Sequence, residues 1–355
     1  MDKFSPVSKV LLVGTRKGLF LIRGNEIEGP LLKGWDVFHA TRDPRSGALF
    51  AAANTFWFGP SVQRSDDGGE TWERAEQLAV PESLGTLKNM WHVEPGHPSQ
   101  PDVLWAGGDP GVLFRSEDGG RTWEPNRALV EHPTRDRWQP GAGGMCLHSI
   151  QLDPDDPERL YIGISAAGTF RTDDGGESWT PVNKNVLAGF NEEDKYPEVG
   201  NCVHKLLIHP AKPERLWQQN HCGVYRSDDR GDNWERLDEN GLPSEFGFPI
   251  MLDPSDPDVA YVIPEDGAEF RATAGGRLGV YKTTDAGASW QLHADGLPNP
   301  AWTGVLREAS SWDADGIYFG TQSGSVYSLT NGNWSEVAQQ LPPVLSVEVA
   351  EWPSS

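Results

Sequence analysis

Three histidines recur at matched places in the chain. The strings MWHVEPGHP, CLHSIQLDP and CVHKLLIHP put His92, His148 and His204 each six residues ahead of a proline, at Pro98, Pro154 and Pro210. Cys146 and Cys202 precede two of them by two positions, and Met90 takes that place in the third. Residues two apart share a face of an extended strand. Three converging imidazoles could hold a divalent ion of the zinc, manganese or iron class, with open positions for water or substrate. Such an ion would polarise a carbonyl or lower the pKa of water. Without a metal, His148 and His204 could serve as acid and base, with Glu94 assisting from the side of the strand that carries His92. The same residues could also be structural, because Ile150, Leu152, Leu206 and Ile208 share their strand face.

A second group of candidates is expected on loops and strand ends. Arg16, Asn54, Trp57, Asp109, His221, Glu265 and Arg271 sit in segments that read as loops, and Trp302 and Arg307 lie near strand starts. Cations, carboxylates and flat aromatics together suit a small polar, anionic or sugar-like ligand. His221 and Cys222 are adjacent, but adjacency in sequence does not make a nucleophile–base pair.

The elements that must position these residues are repeated. RSDDGGETW, RSEDGGRTW, RTDDGGESW, RSDDRGDNW and KTTDAGASW fall at 65–72, 116–123, 172–179, 227–234 and 283–290 with one residue before each, and a degenerate copy occupies 328–334. In each box the aspartate (Asp67, Asp118, Asp174, Asp229, Asp285) can accept from turn amides. The following glycine permits a positive φ, and the tryptophan buries a large ring. Upstream of the boxes, DPDDPERLYIGISAAGTF parallels HPAKPERLWQQNHCGVY and HPSQPDVLWAGGDPGVLF. Each unit reads as four antiparallel strands in roughly 45–55 residues, the signature of a propeller blade.

Six such units can be counted, and a seventh at 10–22 lacks its inner strand. The segment VLSVEVA at 344–350 can supply it, so the whole of 1–355 reads as one all-β, seven-bladed β-propeller. Its four-stranded antiparallel blades would be closed by the two terminal strands in one blade. The connections 124–146 and 181–202 and the loop 263–279 are long, and all three fall on the face where inner strands begin. They are expected to wall a pocket at the upper mouth of the central channel.

The boxes resemble the BNR/Asp-box superfamily of sialidase-like and glycosyl-hydrolase-like propellers. That resemblance implies a hydrolase or lyase acting on a carbohydrate-like substrate. Sialidases of this kind carry an Arg-Ile-Pro motif and an arginine triad; the chain has no Arg-Ile-Pro string, and sialidase activity itself is not implied. Asp-box xyloglucan hydrolases use two propellers. Photosystem II assembly factors resemble the chain in having one seven-bladed Asp-box ring, which implies the alternative of a non-catalytic scaffold for a protein partner. Seven-bladed oligogalacturonate lyases, with a metal held by three histidines, are an architectural analogy.

Bulk properties set outer limits. With 30 Lys+Arg against 52 Asp+Glu the formal charge is −22, so nucleic acid and anionic membrane surfaces are not expected partners. Three cysteines form no disulfide framework. The apolar run 10–13 is too short for a secretory signal, so a cytoplasmic location is the expectation.

Overall fold

The computed structural model describes residues 7–75, 78–330 and 332–353. They form seven four-stranded antiparallel sheets. Blade one joins Val344–Pro353, as its inner strand, to Val7–Thr15, Gly18–Arg23 and Glu26–Leu31. Blades two to seven follow in chain order. Their inner strands are Asp36–Arg42, Asn89–Pro95, Leu147–Leu152, Val203–His209, Gly247–Leu252 and Ser310–Asp313. Each inner strand packs on the next, and the seventh returns to Val344–Pro353, so the ring is closed. No helix of the described residues is long and apolar enough to cross a membrane.

Blade-on-blade packing follows from residue size. The second strands are largely buried, and Leu104–Asp109 and Leu160–Ile164 are buried throughout. A Cβ at Gly107 would overlap the carbonyl oxygen of Leu147, on the next inner strand. Glycine there lets two sheets meet backbone to backbone. The Asp-boxes behave as staples. Asp118 accepts from the amides of Arg121 and Thr122 at 2.9 and 3.0 Å and from the hydroxyls of Ser116 and Thr122 at 2.9 and 2.6 Å. Several box tryptophans tie the boxes to the preceding blade: Nε1 of Trp234, Trp290 and Trp334 donates to the carbonyls of Val182, Leu237 and His293. The degenerate copy keeps this bond although its strands pair directly, Leu329 with Trp334.

The inner strands carry a feature the sequence did not disclose. Pairing with the second strand slips between Val37 and His39, Met90 and His92, Leu147 and Ser149, Val203 and Lys205, and Gly247 and Ile250. Each slip is a β-bulge, which adds a residue and re-aims its neighbours. The extra residue carries a ring in four blades: Phe38, Trp91, His148 and His204. His92 therefore matches Ser149 and Lys205, and not His148 and His204. The turn after His92 is one residue longer, so alignment on the proline displaced it by one position and hence to the other strand face.

Residues just after the bulges meet at the axis. Glu308 Oε2 accepts from Lys205 Nζ at 2.8 Å and lies 3.4 Å from His92 Nδ1, joining blades three, five and seven. His92 Nε2 lies 3.2 Å from Glu94, and its ring stacks on His39 at 3.9 Å. Burial opposes charge here, but Glu308 and Glu94 overcome it and raise His92 to about 9. Burial likewise opposes ionisation of Glu308, and Lys205 and His92 outweigh it, holding that carboxyl well below its usual range. Burial and the charge of His92 keep His39 well below its ordinary value.

Two outcomes follow from this framework. Asp118→Ala should lower the free energy of unfolding by about 1–2 kcal/mol, because the turn amides lose their acceptor; a denaturation midpoint equal to wild type would remove the staple role. His92 has a folded pKa above its unfolded value, so its contribution is complete below about 6.5 and is lost as pH rises through about 9. The stability difference between wild type and His92→Gln should therefore shrink by on the order of 3 kcal/mol between pH 6.5 and 10. A difference that stays constant over that range would mean the imidazole is uncharged.

Candidate functional site

The upper mouth of the channel holds a cleft of about 490 Å³. Its walls are the long segments expected from the sequence: 137–143 from the connection into blade four, Phe190, Asn191, Val199 and Gly200 from the connection into blade five, and Arg271 from the loop of blade six. Its floor is built from inner-strand starts and strand loops, with Cys202, His204, His221, Phe248 and Arg307. Four of the residues singled out in the sequence thus meet in one place: His204, His221, Arg271 and Arg307.

The two guanidiniums define the electrostatics. Arg307 lies 5.4 Å from the ring centres of both Trp91 and Phe248, and Arg271 lies 5.8 Å from Phe248. Among the described residues the recorded ion pairs include neither arginine, and Arg307 Nε is buried without a hydrogen-bond partner. Arg271 caps the short helix Gly267–Phe270 in the left-handed region, at φ 48°. A non-glycine residue there is strained, and such strain gathers at functional sites. Its Nε donates to the carbonyl of Ala268 at 2.9 Å, which leaves the rest of the guanidinium for the cleft.

The imidazoles beside them are neutral. His204 donates from Nδ1 to the carbonyl of Gly247 at 2.6 Å and stacks on Phe248 at 4.5 Å. Burial, then the charge of Arg307, holds it well below its ordinary value. Burial and Arg271 lower His221 in the same way. Burial raises the Cys202 thiol. Behind the cleft wall, Glu265 is buried and raised to about 7 by that burial, against the Val305 amide and Arg271. One of its oxygens accepts from Val305 N at 3.2 Å, and the other is buried without a partner.

The expected three-histidine centre is not assembled. His148 is fully buried between blades four and five, with Nε2 on the Val203 carbonyl at 2.9 Å and Nδ1 on Ser149 Oγ at 3.1 Å. Both ring nitrogens are therefore occupied. His92 belongs to the axial cluster, and Glu94 faces a separate cavity of about 520 Å³ at the lower mouth, together with Glu348. The described residues instead bring metal-ligating atoms within 4.8 Å of one another in two groups, Cys202–His204–His221 and His39–His92–Glu308.

Other expected ligand-binding residues lie elsewhere. Asn54 exchanges two hydrogen bonds with the backbone of Met90 and staples blade two to blade three. Arg16 pairs with Asp36 at 2.9 Å. Asp109 is buried below the mouth, and that burial raises its pKa. Trp57 is 83% exposed at a loop tip beside Phe56 and Phe58, and Trp302 is 65% exposed against Phe270 on the rim. Sequence reasoning passed over Lys205, whose one signal was a cation inside the apolar run VHKLLIH. It also passed over the pairing of Cys202 with His221, which only the ring geometry creates.

Comparison with known proteins agrees with this architecture. A BNR/Asp-box repeat model matches residues 63–74. A xyloglucanase from Paenibacillus sp is 27% identical over 219 residues, covering 56% of this chain and 20% of its own. The chain spans about a fifth of the length of the first curated relatives it matches. Among solved structures, the GH74 enzyme of Niastella koreensis superposes with a TM-score of 0.63 at 16% identity, over 96% of this chain and 52% of its own. YCF48 bound to D1 peptide superposes with a TM-score of 0.55 at 14% identity, over 96% and 95%. At these identities the structural likeness concerns the fold, and the chain is a seven-bladed β-propeller built on BNR/Asp-box repeats.

Proposed function

We propose that the upper mouth binds a small anionic, sugar-like molecule and acts on it as a hydrolase or lyase. The observation that carries this reading is the convergence of Arg271 and Arg307 on Phe248, two guanidiniums without a carboxylate partner among the described residues of a chain whose net charge is −22. Arginine forks match carboxylates two bonds at a time. Phe190, Phe270 and Trp302 are exposed and supply flat apolar faces around the rim for a sugar ring. Glu265, raised to about 7 by its burial, lies one layer behind the wall near Arg271 and does not line the cleft. The similarity to xyloglucanases supports a carbohydrate-like substrate. Glycoside hydrolysis ordinarily needs two carboxylates, and the cleft is lined by none among the described residues. A lyase, which needs a cation for the substrate carboxylate and a single base, fits a wall of arginines and neutral imidazoles better.

Calorimetric titration with uronic acids and with the corresponding neutral sugars tests the reading. Arg307→Ala should weaken uronate binding by about 10–100-fold, in line with loss of a charged hydrogen-bonding partner worth ~1.5–3 kcal/mol. Equal affinity for acids and neutral sugars would overturn it.

A second reading has its own observation. Phe56, Trp57 and Phe58 stand exposed in a row at the tip of a blade-two loop. Three adjacent exposed aromatics suit a peptide segment of a partner protein, and one structural neighbour is a propeller with a bound peptide. Replacing Phe56 and Trp57 by serine should abolish capture of such a partner while leaving uronate binding intact. Undiminished capture would dismiss this surface.

A further inference from the structure

We infer that Cys202, His204 and His221 form a transition-metal site of the zinc type in the floor of the upper mouth. The inference goes beyond the ligand reading and does not require it, because it stands on the geometry of three side chains. One ligand atom from each lies within 4.8 Å of the others. Tetrahedral zinc with bonds of about 2.0–2.3 Å needs its ligand atoms about 3.3–3.8 Å apart. Closing the triangle therefore takes about 1 Å of side-chain adjustment.

Three features prepare the site. His204 already donates from Nδ1 to the Gly247 carbonyl at 2.6 Å. That bond fixes the tautomer and turns the lone pair of Nε2 outward, the arrangement that metal-bound histidines generally show. The backbone N–H of His221 donates to the carbonyl of Cys202 at 2.9 Å, locking two of the three ligands in register. The His221 ring packs edge-on against Phe190, His204 and Phe246, so its orientation is set by aromatic contacts.

The donor set decides the class of ion. One thiolate and two neutral imidazoles suit zinc and its neighbours, and do not suit magnesium or calcium, which take oxygen ligands. Binding would displace the Cys202 thiol proton to solvent. Three protein ligands leave a fourth position open, facing the cleft that Arg271 and Arg307 also line. The second cluster, His39–His92–Glu308, is a poorer candidate: Lys205 Nζ already sits 2.8 Å from the Glu308 carboxylate and supplies its counter-charge.

Cobalt(II) titration of the chelator-treated full chain tests the inference. The expected result is one ion per chain, with a thiolate-to-cobalt charge-transfer band and the visible bands of a tetrahedral centre, all displaced by zinc. Cys202→Ser should abolish the charge-transfer band, and His221→Asn should weaken affinity by at least about 100-fold, since even outer-shell losses reach 10–100-fold. Cys222→Ser should keep the band, because that thiol faces the Gly189 amide instead. Should Cys202→Ser fail to fold, His221→Asn, at a half-buried position, decides alone. No cobalt uptake by the wild type, or a band that survives in Cys202→Ser or vanishes in Cys222→Ser, overturns the site. Uronate titration of the same metal-free protein separates the two proposals: binding retained there while cobalt is refused leaves the ligand reading standing and removes this one.

Discussion

The ring is held shut by one pairing. Val344–Pro353 lies antiparallel along Val7–Thr15 in a ladder running from Val7–Pro353 to Thr15–Val344. Every other blade is built from consecutive chain, so its strands meet at low entropic cost. The closing blade alone must bring together segments more than three hundred residues apart. Once it forms, no inner strand has a free neighbour, and the geometry of the channel is fixed by blade number. Everything placed at the axis or at the mouth depends on that closure, because Arg307, His204 and Arg271 come from three different blades.

The closure brings a second constraint with it. Seven inner strands converge on the axis, where His39, His92, Lys205 and Glu308 are all buried, so the groups that face each other there must compensate. Glu308 does this for Lys205 and His92 at once, and Glu94 completes the balance on the lower side. Further down the same channel Glu348 forms no ion pair among the described residues, and burial together with Glu94 outweighs the more distant Lys205 and His92 and raises it to about 8. The axial cluster thus divides the channel: below it lie Glu94 and Glu348 with Arg42 also lining the cavity, and above it lie guanidiniums and neutral imidazoles.

The fold was legible in the sequence because the blade is a repeated local solution. Asp118 with Thr122, or Asp174 with Ser178, closes its turn within a handful of residues, and such bonds leave a direct imprint on the string of letters. The terminal strand at 344–350 was legible by subtraction from an incomplete first blade. The position of the upper mouth was legible too, since loop length marks the face where insertions are tolerated. What could not be read was register. The bulges at His148 and His204 leave no mark in the sequence, and an extra residue in the turn before Pro98 moved His92 from the mouth to the axis. With a side-chain period of two, one residue exchanges a ligand for an ion-pair partner. His221 and Cys202 were each visible as reactive types, but their proximity is a product of strand pairing and could be seen only after the ring was built.

The charge of the mouth has to be weighed against the charge of the chain. A net −22 repels anions out to roughly a Debye length, about 8–10 Å at physiological salt and longer at low salt, so approach of an acidic ligand is slowed most at low salt. Within the cleft the balance reverses, because Arg271 and Arg307 act at contact distance in a partly desolvated wall, where screening is weak. A small anion pays the long-range repulsion once and recovers it at the arginines. A polyanion keeps most of its charge outside the cleft, over the acidic surface, and gains nothing there. The same balance would apply to a cation at Cys202: the acidic exterior would draw metal toward the protein, the nearby guanidiniums would oppose a dication, and the Cys202 thiolate would offset part of that opposition. Were a metal to bind at Cys202 and a small acid at the arginines, each would ease the binding of the other, a coupling that is reciprocal by linkage.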